Sequence, residues 1–141
     1  MNDDNDIIQF ITEKLEPYPE IRYKDDTKDQ IEIFTNDING FDIVLYTSAT
    51  ESILYLDHFH QHFEHTDHDI TTLIYLIFYA LTGRAKLEVL YKNNKPYQYN
   101  LQVLNDNGDW YIYKTMKSVF YKFWQKTTKK YLQNKSSVKF L

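Results

Sequence analysis

Apolar and polar positions alternate with two different periods along this 141-residue chain. Residues 4–16 (DNDIIQFITEKLE) place Ile7, Ile8, Phe10, Ile11 and Leu15 near the 3.6-residue spacing of a helix. Asp or Asn can cap its start and Pro17 ends it, so an N-terminal amphipathic helix is expected within residues 1–17. Residues 18–29 are polar and acidic and read as loop, with room for a short strand at Ile21–Lys24. The period then changes to two. QIEIFTN (30–36) alternates as a strand, Asn39-Gly40 is a strong signal for a tight type I′ hairpin, and FDIVLYT (41–47) returns. Ile53–Leu56 reads as a third strand that runs on into a histidine-rich segment, so that the first strands occupy residues 30–63.

Asp69–Thr82 is apolar on almost every side, through Ile70, Leu73, Ile74, Leu76, Ile77, Phe78, Ala80 and Leu81. A helix of that kind belongs in a core, and residues 69–83 are expected to be a buried central helix. Thr66 with Asp69 resembles a capping box, and Gly83 stands where a left-handed C-terminal residue is needed. From 85 to 132 strands return: Ala85–Lys92, Tyr97–Leu104 and Trp110–Thr115, with turns at Asn93-Asn94 and Asn105–Asp109, then Val119–Trp124 and Lys130–Leu132. Hairpin-length links between strands favour antiparallel pairing. The fold expected is a single α+β domain over residues 1–141, mainly an antiparallel sheet of about six strands, with an N-terminal amphipathic helix and a buried central one.

Composition narrows the chemistry. Cysteine is absent, which removes disulfides, thiolate metal ligands and a cysteine nucleophile. Aromatics reach 17%, mostly tyrosine, a residue suited to surfaces with one apolar and one wet side. The acidic start MNDDND differs from the basic start of a secretory signal, so a cytoplasmic location is expected. The longest apolar run, Leu73–Leu81, falls short of the roughly 20 residues that cross a bilayer, so no membrane role is expected. Charge is lopsided: residues 1–83 carry seventeen acids and four bases, residues 84–141 three acids and twelve bases. The blander reading of this asymmetry is that two halves of one domain neutralise each other. The sharper one is a surface for a charged partner.

All five histidines lie within DHFHQHFEHTDHD: His58, His60, His62, His65 and His68. If one strand continued through residue 63, His58, His60 and His62 would share a face with Glu64 next in register, and Phe59 and Phe63 would take the other. Imidazole pairs beside a carboxylate suit zinc or another divalent metal, or acid–base work. The metal candidates are therefore His58, His60, His62, Glu64, His65 and His68, and because all are local any such metal is expected to be weakly held. The alternative is a polar strand end anchored by Phe59 and Phe63, with solvated histidines. Asp42 and Glu51 could join the histidines if the sheet brought them together. No serine stands in a nucleophile elbow, there is no phosphate-binding glycine loop, and no catalytic residue is assigned.

Residues 114–131 interleave lysines with Phe120, Tyr121, Phe123, Trp124 and Tyr131, the ingredients of single-strand nucleic-acid binding. Arginine, which stacks and reads bases, occurs only at Arg22 and Arg84, and lysines also protect edge strands. Nucleic acid is accordingly not the expected partner. One resemblance can be drawn from the order His60-x-His62-Phe63, a buried helix, Lys95-Pro96-Tyr97, Gly108-Asp109-Trp110, Phe123-Trp124 and Tyr131-Leu132-Gln133-Asn134. This arrangement resembles small uncharacterised bacterial α+β proteins with a His-x-His-Phe segment. It spans roughly residues 50–134 and implies a bacterial domain without an attached activity. Where similar proteins carry Trp near the His-x-His-Phe, this chain has Phe59.

The leading expectation is a non-enzymatic protein that acts by binding another protein. An acidic neutraliser of a basic toxin or nuclease, as immunity proteins are, is one concrete version. Its candidate partner-binding residues are Asp25, Asp26, Asp29, Asp37 and Glu51. The alternatives are a metal-dependent or acid–base enzyme centred on His60 and His62, and a nucleic-acid-binding module using the C-terminal lysines.

Overall fold

The computed structural model of the protein describes residues 4–35, 37–118 and 124–135. The chain opens with helix α1 (Asp4–Leu15), which buries Ile7, Ile8, Ile11 and Leu15 on one side and exposes Gln9, Glu13 and Lys14. Five strands follow: β1 (Arg22–Lys24), β2 (Gln30–Phe34), β3 (Ile43–Thr47), β4 (Glu51–Leu56) and β5 (Phe59–Glu64). They pair in chain order as one antiparallel sheet. Helix α2 (Asp67–Thr82) leads to β6 (Ala85–Lys92), β7 (Lys95–Leu104), β8 (Trp110–Lys117) and β9 (Thr127–Leu132). These form a second antiparallel sheet in the order β8-β7-β6-β9.

The fold is thus α+β with antiparallel sheets, but the expectation of about six strands in one sheet is corrected: the described residues hold nine strands in two sheets. Both sheets and both helices feed one apolar cluster. Ile31, Ile33, Leu45, Leu54 and Phe59 come from the first sheet, and Ala85, Leu87, Leu101 and Val103 from the second. Burial alternates along the strands, so each sheet has one face in the core and one toward solvent.

Two local readings change for physical reasons. Asn39-Gly40 is not a two-residue hairpin, since neither residue has a positive φ and β2 and β3 are joined by a longer loop. The turn runs from Asp37 to Gly40, whose N–H donates to the Asp37 carbonyl at 3.1 Å. Glycine is needed there for space: a Cβ would collide with the Asn134 side chain and lie 2.7 Å from Asp37 Cβ. The third strand, in turn, does not run through the histidines. It ends at Leu56, Asp57 adopts a φ of 57°, and the chain folds back after two residues into β5.

Helix α2 begins and ends where its residues imply. Thr66 caps it by accepting from Asp69 N, and Gly83 closes it with a φ of 79°. The Asp69 carboxylate accepts from Glu64 N at 2.9 Å, which stitches the helix start to the end of β5. The helix is not buried all round, however: Thr71 and Tyr75 face solvent, and Ile74 and Tyr79 are half-buried. Its far end is clamped by Asn134. The buried amide of that residue accepts from Phe41 N at 2.9 Å and donates to Phe41 O and Ala80 O, both at 3.1 Å. Gln133 and Asn134, part of the resemblance, therefore hold the tail against the β2–β3 loop and the Gly83 cap. The strand expected at Val119–Trp124 falls on residues 119–123, outside the described ones, and Trp124 lies in a turn.

Candidate functional site

Strand β5 carries the histidines by simple alternation. Phe59 and Phe63 are buried, while His60, His62 and Glu64 stand on the solvent side. In the β4–β5 register Tyr55 lies opposite His60, Ile53 opposite His62 and Glu51 opposite Glu64. One strand further in, Val44 pairs with Tyr55 and Tyr46 with Ile53. The outer face thus shows a connected row of rings. Tyr46 meets Tyr55 edge-on at 5.8 Å between centroids, Tyr55 meets His60 at 5.3 Å, and His60 meets His62 at 6.1 Å. His62 Nδ1 lies 3.3 Å from both oxygens of Glu51, so the sheet does unite Glu51 with a histidine. Glu51 and Glu64, opposite each other on one face, repel.

The remaining histidines scatter. His58 does not share the face of His60 and His62, because it occupies the two-residue turn, with its ring 6.3 Å from that of Tyr99. His65 is half-buried, and its Nε2 lies 2.9 Å from Ser52 Oγ. Such a pair has nucleophile-and-base spacing, but Ser52 is fully buried and offers no approach for a substrate. His68 is exposed in the first turn of α2. Among the described residues no three His, Asp or Glu side chains are placed to hold one metal ion. A surface groove of about 650 Å³ beside β1, lined by Pro19, Ile21, Arg22, Tyr23 and Phe34, includes none of the histidines. Asp42 accepts from Thr35 N and does not reach them either.

The acidic candidates divide. Asp25, Asp26 and Asp29 are exposed in the β1–β2 loop, where Lys24 lies 3.4 Å from Asp26. Asp29 is tied by its carbonyl to Thr47 N, which puts it at the same end of the sheet as Glu51 and Glu64. Asp37 serves the fold instead, because its carboxylate accepts from Lys135 N at 2.9 Å.

The second sheet's solvent side holds a cluster that the residue order does not reveal. Asn100 donates to Glu88 and accepts from Thr115 and Gln98, and Tyr131 donates to the other Glu88 oxygen. The Asn100 hydrogen bond, above all, holds the Glu88 carboxyl below its ordinary value, with Tyr131, Lys129 and Lys86 adding and partial burial opposing. Lys86 Nζ sits 4.0 Å from the Trp110 ring centre and 5.0 Å from that of Tyr131. The network exists only because β7 pairs with both β6 and β8 at Asn100, and no local sequence signal marks it. Of the C-terminal stretch's lysines, Lys129 takes part in it, 4.0 Å from Glu88. Phe120, Tyr121 and Phe123 lie outside the described residues.

No family model, no curated protein and no solved structure matches this chain. Among the described residues no helix is long and apolar enough to cross a membrane.

Proposed function

We propose that this protein works by binding a basic protein partner on the solvent-facing side of its first sheet. The observation behind this reading is the row Tyr46–Tyr55–His60–His62, bordered at one end by Glu51 and Glu64 with Asp29, and beyond it by Asp25 and Asp26. Tyrosines supply contact area at little cost in side-chain entropy, and a polar or charged rim orients the approach. Lys24 and Lys28 weaken the field of the loop without reversing its sign. A basic toxin or nuclease, neutralised in the manner of an immunity protein, fits the charge. Asp37, occupied by Lys135 N, is not part of the surface proposed.

The test is capture of a basic partner from the native host, followed by association kinetics. The association rate should fall as salt rises, and fall again for Asp25→Lys/Asp26→Lys/Asp29→Lys, because long-range attraction acts on encounter. Tyr55→Ser should instead quicken dissociation. A partner indifferent to all three changes would count against this reading.

A further inference from the structure

Two sheets have four edges among the described strands, and three are visibly guarded. β1 is three residues long and carries Arg22 and Lys24. β8 is interrupted by a bulge, which inserts Tyr113 between the residues pairing with Gln102 and Leu101, and it bears Lys114 and Lys117. β9 carries Lys129 and Lys130. Charge, brevity and bulges are the usual means by which an edge avoids pairing with another chain. Of these β5 has only a single charge, Glu64, at its last position. It runs six residues in unbroken register with β4 and contains no lysine, arginine or proline.

Its outward hydrogen-bonding groups can be located. Glu64 N donates away from β4, to Asp69. Antiparallel pairing alternates residue by residue, so the N–H and C=O groups of His60 and His62 point to the same open side. The backbone left to pair is therefore that of the two histidines whose side chains share the outer face.

We propose that β5 pairs with β5 of a second copy of this chain, and that His60 and His62 of both copies together bind one divalent metal ion of the zinc class. A two-fold antiparallel register centred on Gln61 sets His60 opposite the second copy's His62 and the reverse. It uses the open backbone groups of those residues and leaves the Glu64–Asp69 bond intact. Residues so paired have Cα atoms about 5.5 Å apart, which gathers four imidazoles on one face. One protomer supplies only two of these, so the site is incomplete without the other copy.

The side chains are already close to what the metal needs. Tetrahedral zinc at about 2.0–2.1 Å from each nitrogen brings two ring centres to about 5 Å of each other. His60 and His62 stand at 6.1 Å, a gap that a small ring rotation closes. Glu51 engages His62 through Nδ1, which leaves Nε2 for the ion, in the manner of a carboxylate that orients a metal-bound histidine. The proposal does not depend on the basic partner: it concerns the edge of the sheet, and pairing would join two tyrosine faces into one wider surface.

Sedimentation of the chelator-cleared full chain with added zinc chloride, with metal content measured on the separated species, is the test. The expected result is a zinc-dependent dimer with one ion per two chains, reversed by EDTA. His60→Ala and His62→Ala should each abolish it, and His58→Ala, His65→Ala and His68→Ala should each retain it. Glu51→Gln, which leaves all four ligands, should weaken zinc affinity by about tenfold. The histidines replaced are exposed, or half-buried for His65, and circular dichroism checks that each variant is folded. A chain that stays monomeric with zinc, or a dimer that survives loss of His60 and His62, would overturn the proposal.

Discussion

The solvent-facing sides of the two sheets are built from similar side chains, with rings beside carboxylates and bases, but they dispose of their polar groups differently. On the second sheet Glu88 receives Asn100 and Tyr131, Asn100 is itself filled by Gln98 and Thr115, and Lys86 lies over Trp110 and Tyr131. Those groups satisfy one another. On the first sheet the rings meet edge to face or tilted, His62 and Glu51 form one exposed side-chain contact among the described residues, and Glu64 faces a like charge. That face keeps its hydrogen-bonding capacity for something else. The difference separates a polar network that stabilises the fold from polar groups that remain available, and composition alone does not distinguish the two.

The contrast can be broken by substitution, and the largest effect should come from the saturated side. Asn100→Ala would strip a donor from a partly buried carboxylate and an acceptor from two neighbours. It should cost about 2–3 kcal/mol in urea unfolding, as loss of hydrogen bonds to a charged group does. Tyr55→Ser on the other face should cost less than about 1 kcal/mol. Equal losses would mean that the first face is structural too.

A pH series sharpens the same comparison. The folded-state pKa of Glu88 lies below its ordinary value near 4.5. Its stabilising contribution is therefore complete above that value and is lost as pH falls through the folded pKa. Glu88→Gln should be less stable than the parent at neutral pH, with the gap in melting temperature closing as the solution is acidified. A gap that stayed constant into strong acid would deny Glu88 this role. On the alkaline side, burial above all, with Asp57 and Tyr91 adding, pushes the Tyr99 phenol up to about 12. Stability owed to neutral Tyr99 is complete below its ordinary value of 10 and lost as pH rises through about 12, so Tyr99→Phe should flatten that decline.

The smallest effect is expected for His62→Ala without metal. Exposed side-chain pairs, charged or not, contribute about 0–1 kcal/mol, so thermal unfolding should barely move. A loss above about 2 kcal/mol would show that the His62–Glu51 pair supports the fold, and would weaken its reading as an available group.

Much of the fold is legible in the residue order because it depends on local periodicity. Ala85–Lys92 is legible at its true bounds, α2 within two residues, and its caps at Thr66 and Gly83 by residue type. The alternation that turns His60 and His62 outward is legible for the same reason, with Phe59 and Phe63 as the apolar positions in step. The break at Asp57-His58 is not, because neither residue is a glycine and Ile53–Leu56 is apolar at every position, which hides the change of phase to Phe59 and Phe63. Asn39-Gly40 misleads in the opposite direction. That glycine answers to Asn134, more than ninety residues away, and not to a local turn geometry.

What the sequence determined by itself, then, is whatever neighbouring residues can settle: which segments are helix or strand, where α2 is capped, and which side of β5 is apolar. Tertiary structure alone decided that the strands divide into two sheets and that Glu51 meets His62. It alone placed Asn100 within reach of Glu88 and left β5 at the edge of its sheet. The reason is that side-chain direction within a strand follows from a two-residue repeat, whereas partners across strands depend on turn lengths, bulges and register. Shifting one register by a single residue would turn the same histidines into the core.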